Sequence, residues 1–203
     1  MPAGAVFLDR DGTINEEMGY INHPDRFIVF PFVAESIRIF NQLELKVVVV
    51  TNQSGIARGY FKESMVIGLH KRLLESMAQA EARIDAIYYC PHHPTEGLEP
   101  YRQKCNCRKP KPGMINQAVR EGDIDLQKSY MIGDRYKDIV FGNNLKLRTG
   151  FVMTGYGRGE YTYQKDQWKV HPDITGANLL EIARQIYSER KKGPGENGLP
   201  GNR

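Results

Sequence analysis

The amino-acid sequence predicts an α/β protein, a three-layer sandwich with a central, mostly parallel sheet and helices on both of its faces. Two observations lead to this prediction. Short runs of apolar, β-branched residues alternate along the chain with longer segments of helical periodicity, which is the pattern of right-handed βαβ units. The strongest strand, KVVVVTN at Lys46–Asn52, has four consecutive valines and no polar alternation, as is typical of a central parallel strand covered on both faces.

The other elements follow from the same two periodicities. Segments of four to seven mostly apolar residues predict strands, and apolar residues three or four positions apart predict amphipathic helices. The second helix, for example, has Val66, Leu69, Leu73 and Met77 along one stripe. In chain order the remaining predictions are strand 5–9, helix 33–43, strand 86–90, helix 113–121, strand 129–134, strand 148–154 and helix 177–190.

Length and composition favour one globular domain. The chain has 203 residues, of which 40% are hydrophobic and 26% are charged, so it is long enough to bury a substantial core. We assign residues 1–190 to a single domain that carries a loop insertion at 90–107. Residues 191–203 are rich in Gly, Pro and polar residues without apolar periodicity, which predicts a disordered tail.

Charge and cysteine content favour a cytoplasmic protein with an anionic ligand. The formal net charge is +4, which suits an anion, although the run Arg190–Lys192 is typical of a solvated surface. Charge arrives at Asp9, too early for a signal peptide, and no segment approaches the roughly 18 apolar residues of a membrane span. The three cysteines are expected to be thiols in a reducing compartment.

Polar residues follow the predicted strands at the points where ligands bind in open α/β sheets. The first strand ends in DRDGT (Asp9–Thr13) and the second in TNQSG (Thr51–Gly55). A later loop contains RKPKPG (Arg108–Gly113), and the next strand ends in GDRYKD (Gly133–Asp138). Because parallel strands end at one edge of a sheet, we expect these groups to converge there.

The converging residue types suit phosphoryl transfer. Asp9 and Asp11 are two residues apart at a strand end, so their side chains point the same way: one can attack phosphorus while the other lies near the leaving oxygen. Asp134 completes an oxygen-rich site for a cation such as Mg²⁺. Lys109 and the Thr51 hydroxyl would stabilise the phosphoryl oxygens.

Each of these residues has an ordinary alternative explanation. Asp11-Gly12 alone is a turn signal, Thr51 alone is most often a helix cap, and Lys109 alone is most often solvated. Their joint order, each at its expected strand end, is what favours a catalytic site.

These four motifs together resemble those of the haloacid dehalogenase phosphatase superfamily, from Ala5 to about Thr154. The resemblance implies a Rossmann-like fold in which Asp9 is the nucleophile and forms an aspartyl-phosphate. It implies that Asp11 acts as general acid and then base, and that Thr51 and Lys109 hold the phosphoryl group. It also implies Mg²⁺ ligation by Asp9, Asp134 and the backbone carbonyl of Asp11, with Asp138 orienting the site.

All three cysteines lie in one loop. Cys90 and His92 precede Cys105 and Cys107 by about a dozen residues, and three thiolates with one imidazole form a closed structural zinc set. The pairs are spaced CxH and CxC rather than as in zinc fingers, and His93 is a competing ligand. Free thiols remain an alternative, and a redox pair is disfavoured because CxC is not CxxC.

Within the superfamily, this loop resembles the zinc-bearing branch of D-glycero-D-manno-heptose 1,7-bisphosphate 7-phosphatases and histidinol-phosphate phosphatases. In that branch the zinc pins the loop that supplies Arg108 and Lys109. The stretch TNQSGIARGYF (Thr51–Phe61) and the long interval between His92 and Cys105 favour the heptose group. The resemblance then implies hydrolysis of the C7 phosphate, in ADP- or GDP-heptose and hence lipopolysaccharide biosynthesis.

The same resemblance implies a set of substrate contacts around the phosphoryl group, the sugar and its second phosphate. The guanidinium of Arg108 suits a distal phosphate because it can donate two parallel hydrogen bonds. The implied contacts are Asp9, Arg10, Asp11, Glu17, Met18, Gly19, Tyr20, Thr51, Asn52, Gln53, Ser54, Arg108, Lys109 and Arg135.

Three alternatives stay open. The first is a histidinol-phosphate phosphatase, the second a DNA 3′-phosphatase, which shares DxDGT and would suit the basic charge, and the third a zinc-stapled binding module without catalysis. The short intervals between the motifs predict no large cap domain, so small loops must exclude water. We expect a monomer that acts on a small phosphorylated sugar, without a nucleic-acid or membrane partner.

Overall fold

A computed structural model describes residues 2–192 and confirms the predicted fold class. The six strands are β1 Ala5–Leu8, β2 Lys46–Asn52, β3 Ala86–Cys90, β4 Tyr130–Gly133, β5 Arg148–Val152 and β6 Ile174–Gly176. They form one open sheet in the order β3-β2-β1-β4-β5-β6, and every neighbouring pair is parallel. The strand β1 lies near the centre of the sheet.

Helices cover both faces of the sheet because the strand residues alternate between two cores. The helices are α1 Val33–Gln42, α2 Glu63–Gln79, α3 Gly113–Gly122, α4 Tyr136–Asn144, α5 Gly157–Gln164 and α6 Leu179–Lys192. Val6 and Leu8 pack with residues of α1, α2 and α6, whereas Ala5 and Phe7 pack with residues of α3 and α4.

The predicted elements are present, β2 and β3 with the predicted bounds and most of the others with shifted ends, whereas two α-helices and one strand were not predicted. The last helix begins two residues later than predicted and continues to Lys192. The unpredicted elements are α4, α5 and β6. Of the predicted tail 191–203, residues 193–203 lie outside the described residues. None of the described helices is long and apolar enough to cross a lipid bilayer.

The sheet order places three motif-bearing strands side by side. β1 pairs with β2 on one side and with β4 on the other, so Asp9, Thr51 and Asp134 lie at the carboxyl ends of adjacent strands, at the same edge of the sheet. Within the described residues, no connection that leaves that edge contains an inserted domain: the two longest, 9–32 and 91–112, contain one 3-10 turn, at Pro24–Arg26. Small loops therefore surround the site, as predicted.

Candidate active site

A cavity of about 250 Å³ opens at the carboxyl edge of the sheet. Most of the residues predicted to contact substrate line it, together with Asp134. Its wall also includes Lys137 and Tyr156, which the sequence did not single out. The predicted residues on the wall are Asp9, Asp11, Glu17, Gly19, Tyr20, Thr51, Asn52, Ser54, Arg108, Lys109 and Arg135.

Three predicted contact residues are not on this wall: Arg10, Met18 and Gln53. Arg10 is 1% exposed, because its guanidinium lies between the Asp11 carboxylate and the buried ring of His70. Its backbone N–H donates to Asp9 Oδ1 at 2.9 Å. Gln53 is buried and its amide donates to Thr51 Oγ1 and Asp11 Oδ2, at 2.9 and 2.8 Å.

Lys109 is buried between two carboxylates. Its Nζ lies 2.9 Å from Asp9 Oδ1 and 2.8 Å from Asp138 Oδ1. Asn52, at the end of β2, fixes the backbone of Lys109: its Oδ1 accepts from the Lys109 N–H at 3.0 Å, and its Nδ2 donates to the Lys109 carbonyl at 3.2 Å. The second strand therefore holds the loop that delivers the ammonium group.

The charges of this group are set by burial and by each other. Burial and the neighbouring Asp138 charge raise the pKa of Asp9, against the opposing effect of Lys109. Burial alone would lower the pKa of Lys109, but the charges of Asp138 and Asp9 outweigh it and raise that pKa. Lys109 therefore stays cationic next to the proposed nucleophile.

Asp9, Asp134 and Asp138 suit a divalent cation. Each offers a carboxylate oxygen within 4.8 Å of the others, and the buried oxygens Asp134 Oδ1 and Asp138 Oδ2 have no hydrogen-bond partner among the described residues. Burial, together with the charges of Asp9 and Asp138, raises the pKa of Asp134 to about 8. Oxygen ligands and concentrated negative charge are what Mg²⁺ prefers.

Gly12 allows the two motif strands to meet. A Cβ on this residue would overlap the Asp134 carboxylate, and its φ of +84° favours glycine. Gly12, whose nitrogen is bonded to the Asp11 carbonyl carbon, therefore lies against the Asp134 carboxylate. This placement is compatible with the backbone ligation predicted for Asp11.

The Asp11 side chain is held by donors on several sides. Arg10 Nη2 lies 2.7 Å from its Oδ1 and 2.9 Å from its Oδ2, and Asn15 and Gln53 donate at 3.0 and 2.8 Å. Burial opposes ionisation, but the Arg10 charge and these hydrogen bonds together lower the pKa of Asp11. The structure therefore holds Asp11 as a carboxylate, its proton-accepting form.

The cysteine loop closes into a compact cluster next to the cavity. The three sulfurs lie 3.2 to 3.5 Å apart, and His92 Nδ1 lies 3.3 Å from Cys107 Sγ and 3.7 Å from Cys90 Sγ. Two sulfurs bound 2.3 Å from one zinc ion are roughly 3.8 Å apart in a tetrahedron. The set Cys90, His92, Cys105 and Cys107 therefore has the donors for zinc, and the sulfurs need to separate only slightly to surround the ion.

His93 is engaged elsewhere. Its Nδ1 accepts from the Glu96 N–H at 2.9 Å, and its Nε2 lies 3.2 Å from Arg58 Nη2. The cluster is tied to the cavity by Arg108, whose Nη1 donates to the His92 carbonyl at 3.2 Å. A metal bound by His92 would thus fix the backbone that orients Arg108.

The part of the cavity wall that contains Arg135, Lys137 and Tyr156 was harder to predict from the sequence. Arg135 donates to Glu160 at 2.5 Å and stacks 4.1 Å from the ring centre of Tyr156. Tyr156 follows β5, and its N–H donates to Asp134 Oδ2 at 2.9 Å. Lys137 lies in the first turn of α4. A basic residue directly after GDRY is the sequence feature that could have predicted its place on the cavity wall.

Comparisons with known sequences agree with this geometry. A family model described as HAD-hydrolase-like matches residues 106–182. The chain is similar to a D-glycero-β-D-manno-heptose-1,7-bisphosphate 7-phosphatase of Haemophilus influenzae, at 43% identity over 168 residues that cover 80% of this chain and 91% of the relative. A Pasteurella multocida protein of the same name is 47% identical over 155 residues, covering 74% and 82%.

Solved structures give the same result. A D,D-heptose 1,7-bisphosphate phosphatase from B. bronchiseptica, complexed with magnesium and phosphate, has a TM-score of 0.79 and 32% identity, covering 92% of this chain and 99% of that one. A second D,D-heptose 1,7-bisphosphate phosphatase, from Burkholderia thailandensis, has a TM-score of 0.66 and 26% identity, covering 91% and 99%.

Proposed function

Since the chain belongs to the family of D-glycero-β-D-manno-heptose-1,7-bisphosphate 7-phosphatases, within the haloacid dehalogenase-like hydrolases, we propose that it hydrolyses the C7 phosphate of that sugar bisphosphate. The products would be the heptose 1-phosphate and inorganic phosphate. The relatives' names favour the β anomer, which the sequence alone did not distinguish.

The observation that carries the proposal is the number of cations on one small cavity. Lys109 is paired with Asp9 and Asp138, whereas Arg108 and Lys137, also on the wall, form no ion pair within residues 2–192. The phosphoryl group that is transferred would bind at the Lys109 end of the cavity. Further unpaired cations suit a second phosphate on the same substrate.

In the proposed reaction the Asp9 carboxylate attacks the C7 phosphorus, and the sugar C7 oxygen leaves with a proton from Asp11. A water molecule then attacks the aspartyl-phosphate and transfers a proton to Asp11, which restores both carboxyl groups. Lys109 and Thr51 hold the phosphoryl oxygens throughout. The hydrogen bonds to Asp11 favour its carboxylate form. We therefore expect the structure to favour the second step, in which Asp11 accepts a proton from water, over the first, in which it donates one.

Asp9, Asp134 and the Asp11 carbonyl would hold Mg²⁺, which supplies positive charge against the phosphoryl oxygens when bound. Asp138 would keep Lys109 oriented. Zinc in the set Cys90, His92, Cys105 and Cys107 would be structural and would order the loop before Arg108.

The test is kcat/KM for phosphate release, with Mg²⁺, on both anomers of the heptose bisphosphate and on histidinol phosphate. We expect the β bisphosphate to exceed histidinol phosphate by a hundredfold or more, about 2.7 kcal/mol in transition-state binding. A preference for histidinol phosphate would overturn the substrate and leave the phosphatase chemistry in place.

We further propose that the protein acts as a cytoplasmic monomer on this small substrate. Light scattering of the purified chain tests the oligomeric state.

A further inference from the structure

His70 is a buried titratable group to which the proposed chemistry gives no role. It lies on α2 and is 6% exposed. Its ring packs edge-on against Tyr89, with centroids 5.4 Å apart, and its Nε2 lies 3.1 Å from Arg10 Nη1. Arginine has no acceptor atom, so Arg10 donates this hydrogen bond. His70 must then accept through Nε2, which places the ring proton on Nδ1.

Arg10 connects His70 to Asp11. Its Nε and Nη2 face the Asp11 carboxylate, with Nε 3.2 Å from Oδ1, while Nη1 faces His70. Asp11 is its ion-pair partner, and the Phe27 ring lies 5.4 Å from its Cζ. The guanidinium is therefore held at two edges, by a carboxylate on the cavity side and by an imidazole on the helix side.

A neutral acceptor suits this position. Burial, reinforced by the Arg10 charge, lowers the pKa of His70 to about 3, so the ring is neutral near pH 7. A neutral imidazole orients the guanidinium without taking its charge from Asp11, which a second carboxylate would do. A leucine of similar size would leave Nη1 buried without a partner.

We propose that His70 is a positioning residue for proton transfer: it holds the Arg10 guanidinium, and Arg10 in turn holds the Asp11 carboxyl group at the leaving oxygen. This inference rests on the proposed phosphatase activity and on the role of Asp11 in it. His70 is not on the wall of the cavity, and within residues 2–192 its side-chain hydrogen-bond partner is Arg10, so it acts on Asp11 through Arg10.

Proton transfer to the leaving group distinguishes this role from general structural support. A sugar alkoxide is a poor leaving group and needs the proton, whereas p-nitrophenolate leaves without it. The constant kcat/KM reports the steps up to the first irreversible one, here release of the alcohol, so hydrolysis of the aspartyl-phosphate does not obscure the comparison. A misplaced Asp11 should therefore lower kcat/KM for hydrolysis of the sugar ester and leave that of the nitrophenyl ester nearly unchanged.

The experiment measures kcat/KM for the heptose bisphosphate and for p-nitrophenyl phosphate in His70→Leu, His70→Gln and wild type. We expect His70→Leu to lose about tenfold on the sugar ester and less than twofold on the nitrophenyl ester, as a partial loss of a general-acid effect of 10²–10⁴ predicts. In His70→Gln, the amide oxygen can accept a hydrogen bond from Arg10, so kcat/KM for the sugar ester should be within threefold of the wild-type value. Leu73→Ala, a buried change on the same helix away from Arg10, should alter both esters equally.

Equal losses on the two esters in His70→Leu, or no recovery in His70→Gln, would overturn the role of His70. If wild type releases phosphate from neither ester, the proposed function itself fails, which is a separate result. Should His70→Leu not fold, the ¹⁵N spectrum of the wild-type ring decides: a proton on Nδ1 is expected, and a proton on Nε2 contradicts the hydrogen bond from Arg10.

Discussion

Lys109 shows how one buried cation links catalysis to folding. It is the ion-pair partner of both Asp9 and Asp138 within residues 2–192, and all three side chains are buried. Removing it would leave two carboxylates in a low-dielectric site without compensation.

Lys109→Met should therefore lower both stability and activity. We expect the free energy of unfolding, measured by urea denaturation without Mg²⁺, to fall by about 3 kcal/mol, the usual cost of breaking a buried pair. Phosphate release should fall at least about a hundredfold, because the phosphoryl group loses its cation. Lys111→Met is the matched control, since Lys111 is exposed; equal stability losses in the two variants would contradict the pairing.

Arg108→Ala should affect the distal phosphate. We expect kcat/KM for the heptose bisphosphate to fall roughly tenfold or more, since a charge-assisted bidentate contact is lost, with a much smaller fall for heptose 7-phosphate. Arg102→Ala, an exposed arginine of the same loop, is the control. Equal losses on the two substrates would show that Arg108 supports the loop rather than the second phosphate.

At this scale the sequence predicts residues whose position follows from a strand end, and it fails where a loop sets the position. Asp9 and Asp134 directly follow their strands and Thr51 is the penultimate residue of β2, so they converge as expected. Arg10 was included among the contacts by its place in the motif, but its side chain is buried against Asp11 and His70. Tyr156 reaches the cavity only because β5 pairs beside β4, which local patterns do not encode.

The loop at 90–112 is the element with least secondary structure near the cavity. Its start is the end of β3, and its end is fixed by Asn52 against the Lys109 backbone. Between them, Tyr101 donates to Glu63 Oε2 at 2.6 Å, which ties the loop to α2. A metal clip at Cys90 and Cys107 would remove much of the remaining freedom of the loop.

Cys107→Ser should release this clip. We expect bound zinc, measured by atomic emission, to fall from about one per chain to a small fraction, and the melting temperature to drop by several degrees. Activity should fall mainly through KM for the bisphosphate, because Arg108 loses its fixed neighbour His92. Gln103→Ala, in the same loop but outside the cluster, should change none of these; a zinc-free mutant with wild-type stability and activity would contradict a structural zinc.

The elements that the sequence missed are short or weakly patterned. β6 has three residues, too few to show alternation. The helix α4 begins with the polar residues of the fourth motif and contains Gly142, which packs closely against Met131 and Thr149. Its helical state depends on this packing against β4 and β5 rather than on local preference. By contrast, the valine run of β2 was predicted to the residue, because burial on both faces leaves a strong local signal.

The stability of the whole molecule should depend on pH through His70. Its pKa is lowered to about 3 by burial and by Arg10, against about 6.5 in an unfolded chain. Between these values the unfolded state binds the extra proton, so stability is lost as pH falls below 6.5. The loss approaches about 1.4 kcal/mol per pH unit for one such group.

The measurement is urea denaturation of wild type and His70→Gln between pH 7.5 and 5. Carboxylates contribute to the slope of both proteins, so the difference between them isolates His70. Wild type should lose stability more steeply than His70→Gln as the solution is acidified. Parallel curves would mean that His70 is protonated equally in both states, which its burial beside Arg10 does not allow.

The strand order divides the reacting groups between two stretches of chain. Residues 1–122 contain Asp9, Thr51 and Lys109, and residues 123–203 contain Asp134 and Asp138. The two stretches meet along one seam of the sheet, where Val6, Phe7 and Leu8 pair with Tyr130, Met131 and Ile132. Cutting the chain after Gly122 should therefore yield two inactive fragments. The rate of phosphate release after mixing them would measure how much of the two fragments has reassembled.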